Sequence, residues 1–293
     1  MSGQAADGLA RGLFAAVWTG VSSLLWSPLF VRTVSAVLAL FPSMGNRRVA
    51  YKGTYMYATS VDRWVALLLW KYGILEGYEL QVARSLIRPG MHILDVGSNV
   101  GFHSLEFARW TGPSGKVDAF EPAPENYLVL QRNVAASGLD NVSTFEIAIS
   151  DHAGEAAMYL SPAHRGDHRI VASAETRSAI HVRTTTLDER YGAPGQRVDF
   201  VKIDVQGAEY LVLAGMRQVF RNNPDLVVVV EFSPQLVTSS GHSPEEFVAL
   251  VASLNRRIQI IDHRAKQCVA CDLDTLRRKA TAARQLDLLL TRN

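Results

Sequence analysis

Apolar and polar positions along this chain change rhythm twice. From about Tyr78 onward, short apolar runs alternate with stretches whose apolar positions recur every three or four residues. That is the pattern of strands alternating with helices around a parallel sheet. Glu79 to Ile87 reads as a helix ended by Arg88-Pro89-Gly90, and Met91 to Val96 as a short buried strand. Phe102, Leu105 and Trp110 space a helix over Phe102 to Trp110. Lys116 to Phe120 is the next strand, Pro124 to Ala136 the next helix, and Asn141 to Ile149 a third strand. Right-handed crossovers make these one half of a doubly wound sheet. The polar stretch Asp151 to Arg183 interrupts the alternation with only short strand-like pieces, Ala156 to Leu160 and Ile180 to Thr186. It reads as an irregular insertion or hairpin beside the carboxyl edge of the sheet. The rhythm resumes with strand Val198 to Asp204, helix Ala208 to Phe220 and the run Leu226 to Phe232. That run is apolar on both faces, as a central parallel strand requires. Ser243 to Leu254 is a helix with Pro244 in its first turn. Arg257 to Ile261 and Leu286 to Leu290 are the last strands.

The first forty positions follow neither rhythm. No charge falls between Arg11 and Arg32, and Gly12 to Val31 has about the minimum length of a bilayer span. On a helix Thr19, Ser22, Ser23 and Ser27 share one face, largely opposite Leu13, Phe14, Val17, Val21, Leu24 and Leu25. Pro28 breaks that helix, and Pro42 stops a second apolar stretch. A secretory leader is opposed by Asp7 and by the lack of a small-residue cleavage site. Two readings stay open. One is a helical pair packed on protein. The other is an anchor at the cytoplasmic face of a membrane, with residues 11–42 in contact, Trp18 and Trp26 at headgroup level, and Arg11, Arg32, Arg47 and Arg48 near anionic lipid. The chain accordingly divides into an apolar helical segment, residues 1–50, and a domain over residues 51–293.

Composition narrows the class. With 293 residues, 48% hydrophobic and 20% charged, the chain is long and apolar enough for a full core. Thirty basic against 28 acidic side chains are too balanced for a dedicated nucleic-acid partner. Two cysteines exclude a disulfide scaffold and fit a reducing compartment such as the cytoplasm. Cys268-Val-Ala-Cys271 lies too late for a redox motif, and a zinc site needs two more ligands with only His263 close by, so no metal site is expected.

The chemistry gathers at strand ends. In Asp95-Val-Gly97-Ser-Asn99-Val-Gly101, between the first strand and first helix, the two glycines permit a sharp turn and close approach to a ligand. Asp95 offers an acceptor to an ammonium group, the wrong charge for a pyrophosphate and the right one for an amino acid. Glu121 ends the next strand about 20–30 residues on, the interval at which an acidic side chain meets ribose hydroxyls. A carboxylate suits that place because it accepts two hydrogen bonds side by side.

With Phe120-Glu121-Pro122 and Val201-Lys202-Ile203-Asp204-Val205-Gln206-Gly207-Ala208-Glu209, the turn resembles the FkbM family of S-adenosylmethionine-dependent methyltransferases. The resemblance implies an α/β, Rossmann-like class I methyltransferase fold: a seven-stranded, mostly parallel sheet whose last strand is antiparallel. It implies S-adenosyl-L-methionine as cofactor, and methyl transfer to a hydroxyl of a lipid, glycolipid, saccharide or secondary metabolite. Asp95, Gly97, Asn99 and Gly101 would then surround the methionine end, Glu121 the ribose, and Ala148 and Ile149, from the third strand's end, the adenine. Positioning supplies much of such a reaction, and a base is needed only for the hydroxyl proton. Asp204, Glu209 and His168 are the candidates, with Glu231 at another strand end. Gln206 departs from the family, which usually carries glutamate there, and so loses a charge. Two alternatives stand beside this reading. One is an NAD(P) enzyme, whose Gly-x-Gly-x-x-Gly loop is not met because Asp95 takes the first glycine's place. The other is a non-catalytic membrane or partner scaffold on the same fold, which Gln206 keeps open.

Overall fold

The computed structural model describes residues 48–58, 77–160, 178–282 and 285–293. Residues 11–42 and His168 lie outside the described residues. The chain divides into two units, Met1–Leu75 and Glu76–Asn293. In the first unit, β1 (Arg48–Tyr51) and β2 (Thr54–Tyr57) pair antiparallel with Val49 opposite Met56, both buried. The turn between them, Lys52-Gly53, has both φ angles positive (47° and 82°), the handedness that a two-residue hairpin wants.

The second unit is built on an eight-stranded sheet. Its strands are β3 (His92–Val96), β4 (Lys116–Phe120), β5 (Val142–Phe145), β9 (Phe200–Ile203), β10 (Val227–Phe232), β11 (Arg257–Asp262), β12 (Gln267–Ala270) and β13 (Leu286–Thr291). The order across the sheet is β12-β11-β13-β10-β9-β3-β4-β5. β5, β4, β3, β9 and β10 run parallel, and β13 enters antiparallel between β10 and β11. This is the class I methyltransferase topology with one extra edge strand, β12, formed when the chain turns back on β11. The order reverses between β3 and β9, so their carboxyl ends form the crevice where ligands bind in such sheets.

Helices cover both faces. α1 (Tyr78–Leu86), α2 (Phe102–Thr111) and α3 (Pro124–Ser137) follow the alternation expected from the sequence. Two expected elements are split. The third strand stops at Phe145, and Ala148–Ile149 (β6) leaves the main sheet to join a three-stranded sheet with β7 (Gly154–Leu160) and β8 (Ser178–Thr185). The expected helix over 208–220 becomes Glu209–Ala214 and Arg217–Asn222. The break is at Gly215, where a Cβ would lie 2.1 Å from the Ser150 carbonyl oxygen, so the chain yields there to residue 150. Leu187–Tyr191, Pro234–Val237, Pro244–Ser253 and Leu273–Ala282 complete the helices. Ser243 and Glu246 form a full capping box ahead of Pro244, which fixes where that helix begins. The core is aliphatic from Leu94 through Val201, Val228 and Leu288, with Phe232 and Phe247 stacked at 3.7 Å between ring centroids. Among the described residues, no helix is long and apolar enough to cross a membrane.

Candidate active site

The turn after β3 is held by hydrogen bonds to β4 and α3 as well as within itself. The Gly97 and Ser98 N–H groups both donate to the Phe120 carbonyl, and the Gly101 N–H to that of Ser98. Asn133 Nδ2 donates to the Val100 carbonyl from α3, at 2.7 Å. Gly97 and Gly101 have φ of +84° and +87°, which glycine adopts without strain. A side chain at either position would meet the protein itself. A Cβ on Gly97 would lie 1.9 Å from the Asp204 carbonyl oxygen, and one on Gly101 2.5 Å from Leu130 Cδ1. These glycines bring β3 against β9, and α2 against α3.

Glu121 stands where the sequence puts an acceptor for paired hydroxyls. Its Oε2 accepts the Asn99 N–H at 2.8 Å, and its Oε1 accepts the Ala123 N–H at 3.0 Å and Asn126 Nδ2 at 3.3 Å. The carboxylate thus ties the glycine turn to the start of α3. Asn99, in the left-handed region at φ 54°, has its buried Oδ1 without a hydrogen-bond partner. An acceptor of this kind beside an anchored carboxylate fits a ligand that carries an ammonium and a ribose.

Asp95, expected beside the methionine end of the cofactor, lies in β3 one residue before its end. It is wholly buried, its Oδ2 accepts the Ser104 hydroxyl at 2.5 Å, and it lies directly opposite Lys202 in the β3–β9 register. Burial raises its pKa, with the Lys202 ammonium acting against that rise. Its Oδ1 is a buried acceptor without a hydrogen-bond partner. Ala148 and Ile149 are buried too: Ala148 packs with Ala123, Met158 and Val182, while Ile149 joins the main core.

Lys202 organises the crevice, and the sequence reading gave it no role. A lysine in the middle of a buried apolar strand must find anions to stay charged. Its Nζ donates to Asp204 Oδ2 at 3.1 Å. Burial alone would lower the Lys202 pKa, but Asp204, Asp95 and Glu231 together raise it. Asp204 is held below the usual carboxylate range despite burial, by Lys202 and by a hydrogen bond from Gln206. Glu231 is pushed up to about 9 by burial and by the charges of Asp204 and Asp287. Gln206 spans the two, its Nε2 donating to Asp204 Oδ1 at 2.9 Å and to Glu231 Oε1 at 3.1 Å. The loss of charge at residue 206 therefore has a physical consequence. An amide donates to both neighbours at every pH, whereas a carboxylate there would repel them.

The other expected bases separate. Glu209 is fully buried and its Oε1 accepts the Gly207 N–H at 2.8 Å, a bond within its own turn. His103, on α2, lines a small pocket with Glu79 and Lys202, its ring against Phe102 and Phe107. Burial and the Lys202 charge lower its pKa to about 3, so the ring is neutral. Glu79, His263 and Asp287 group nearby, the imidazole between two carboxylates. Asp287 chiefly, through its hydrogen bond, raises the His263 pKa, so this trio balances much of its own charge.

Residues 95–258 match the model of the methyltransferase FkbM domain. Methyltransferase sdnD of Sordaria araneosa is 31% identical over 48% of this chain and 66% of its own length. 2-O-methyltransferase NoeI of Sinorhizobium fredii is 28% identical over 53% of this chain and 68% of its own. Hexuronic acid methyltransferase AglP of Haloferax volcanii is 28% identical over 66% and 75%. The chain thus spans just under two thirds of the length of sdnD. The domain match covers more than half of the chain and includes the turn, Glu121 and the Lys202 cluster: the chain belongs to the FkbM methyltransferase family.

Proposed function

We propose that this chain is an S-adenosylmethionine-dependent O-methyltransferase acting on a hydroxyl of a saccharide, lipid, glycolipid or secondary metabolite. The observation that carries the reading is the Glu121 carboxylate, anchored by the Asn99 and Ala123 N–H groups beside the glycine turn at the switch point. Glu121 would hold the ribose and Asn99 Oδ1 the ammonium of the bound cofactor, with Ala148 and Ile149 flanking the adenine from behind. The cofactor supplies a methyl group on a sulfonium, so the chain need only orient the acceptor and take its proton. Asp204, ionised at the mouth of the crevice, is the base for that proton. The names of NoeI and AglP, a 2-O-methyltransferase and a hexuronic acid methyltransferase, favour a saccharide hydroxyl among the acceptor classes. Contact with a membrane through residues 11–42 belongs to the same proposal and rests on the apolar pattern of that segment alone.

Calorimetry with S-adenosylhomocysteine and, separately, NADH tests the cofactor. Binding of S-adenosylhomocysteine alone is expected, and binding of NADH alone would overturn the reading. Comparing glycans and lipids from cells with and without the gene, by mass spectrometry, should show a single missing methyl group on one species.

A further inference from the structure

The crevice holds more carboxylates than cations. Asp95 from β3, Asp204 after β9 and Glu231 from β10 all act on the single ammonium of Lys202. His103 from α2 faces Asp204 as a neutral ring, and Asp287 from β13 sits opposite Glu231 in register. Asp287 is itself bound to His263, which also pairs with Glu79 from α1, so it brings no spare cation to Glu231. Three anions around one cation in a shielded site cannot all stay ionised without cost. Gln206 is placed where that conflict is decided. Its side chain reaches both Asp204 and Glu231, and its backbone is held in the left-handed region at φ 50°, a conformation that costs a residue with a Cβ. The next residue, Gly207, is locked by Leu236, whose Cβ would lie 2.9 Å from a Cβ at that position. The turn is therefore built to aim this amide.

We propose that Gln206 is a positioning residue which couples the two carboxyl groups: its amide holds Asp204 as the ionised base for the acceptor hydroxyl while Glu231 keeps its proton, with Lys202 as the built-in counter-ion. This rests on the reading of the chain as an O-methyltransferase with Asp204 as base. Two carboxyl groups whose surroundings drive their proton affinities apart can divide the roles of base and acid. The amide adds no titrating group of its own to the pair. A carboxylate at 206 could donate only while protonated, so the site would then titrate as three coupled groups.

The test uses the full chain with 13C-labelled aspartate and glutamate, and follows the side-chain carboxyl signals of Asp204 and Glu231 by NMR from pH 4 to 10. Asp204→Asn and Glu231→Gln assign the signals. In the parent, Asp204 should stay ionised through neutrality and Glu231 should titrate above it. Gln206→Met removes the donor to a charged oxygen and should move the Asp204 transition upward by about one pH unit. Gln206→Glu adds a negative charge as well and should move it further. A Glu231 transition in the ordinary carboxylate range, or an Asp204 transition unmoved in both variants, overturns the coupling. Both variants nearly conserve the volume of Gln206, and a third, Gln206→Leu, should repeat the methionine result if either fails to fold. S-adenosylhomocysteine calorimetry on the same samples separates the two levels of the proposal. Normal binding with unmoved carboxyl transitions sinks the coupling alone. No binding to the parent, with the transitions moving as described, sinks the methyltransferase reading and leaves the electrostatic pairing in place.

Discussion

At the scale of residues, Asp95 and Glu121 look alike in the sequence, each an acidic residue at or near a strand end, yet they do different work. Glu121 faces the glycine turn with both oxygens committed to donors from two elements. Glu121→Gln keeps the shape but turns an amide NH2 toward N–H groups, so one donor is left unmet. Charge-assisted hydrogen bonds are worth about 1.5–3 kcal/mol, which is roughly a 10- to 150-fold weakening of S-adenosylhomocysteine binding. An affinity within twofold of the parent would remove Glu121 from the site. Asp95 is sealed from solvent against Ser104 and the Lys202 charge. Asp95→Asn should therefore cost stability first, about 1–3 kcal/mol for disturbed buried hydrogen bonds, read by urea unfolding. Unchanged stability together with weakened ligand binding would place Asp95 at the ligand. Glu121 was legible because a strand end and a spacing define its place. The part played by Lys202 was not, because it depends on which carboxylates three separate strands bring beside it. The one signal was a lysine inside an otherwise apolar buried strand.

At the scale of elements, the pattern of apolar residues located every central strand, because strands buried on both faces read as continuous apolar runs. It did not locate β12 or the break at Gly215. The first is an exposed edge hairpin with little periodic signal, and the second is forced by the Ser150 backbone from elsewhere in the chain. A further cross-element device lies at the opposite end of the sheet. His92, the first residue of β3, presents Nε2 to Asp118 Oδ2 and Nδ1 to the Arg197 carbonyl, both at 2.7 Å. The Tyr191 hydroxyl donates to the same Asp118 oxygen at 2.9 Å. Burial alone would raise the Asp118 pKa, but the bonds from His92 and Tyr191 outweigh it and lower it. A depressed carboxylate contributes stability above its unfolded value, about 3.9, and loses it as pH falls through the folded value. Asp118→Asn should then cost about 1–3 kcal/mol at pH 7. That gap should close progressively in urea titrations below about pH 4. A gap of constant size down to about pH 2 would show that the contribution of Asp118 is not that of an ionised group.

At the scale of the whole molecule, the family match starts at residue 95, and Glu121 and the Lys202 cluster lie in the unit Glu76–Asn293. The apolar run of residues 12–31 lies outside both, and the proposed membrane contact competes with a helical pair packed on protein. The membrane proposal rests on a twenty-residue stretch free of charge, with two tryptophans and with arginines at its borders. With a formal net charge of +2 on the chain, long-range attraction to anionic lipid is small, so apolar insertion must supply most of any membrane affinity. Deleting residues 1–42 should therefore abolish sedimentation with phosphatidylcholine–phosphatidylserine vesicles and leave S-adenosylhomocysteine affinity unchanged. Raising salt should weaken binding of the full chain only slightly, because insertion rather than charge carries it. Vesicle binding that survives the deletion would place the membrane contact elsewhere. Loss of cofactor affinity or of cooperative unfolding on deletion would instead make the segment part of the protein's own core, the packed-helix reading.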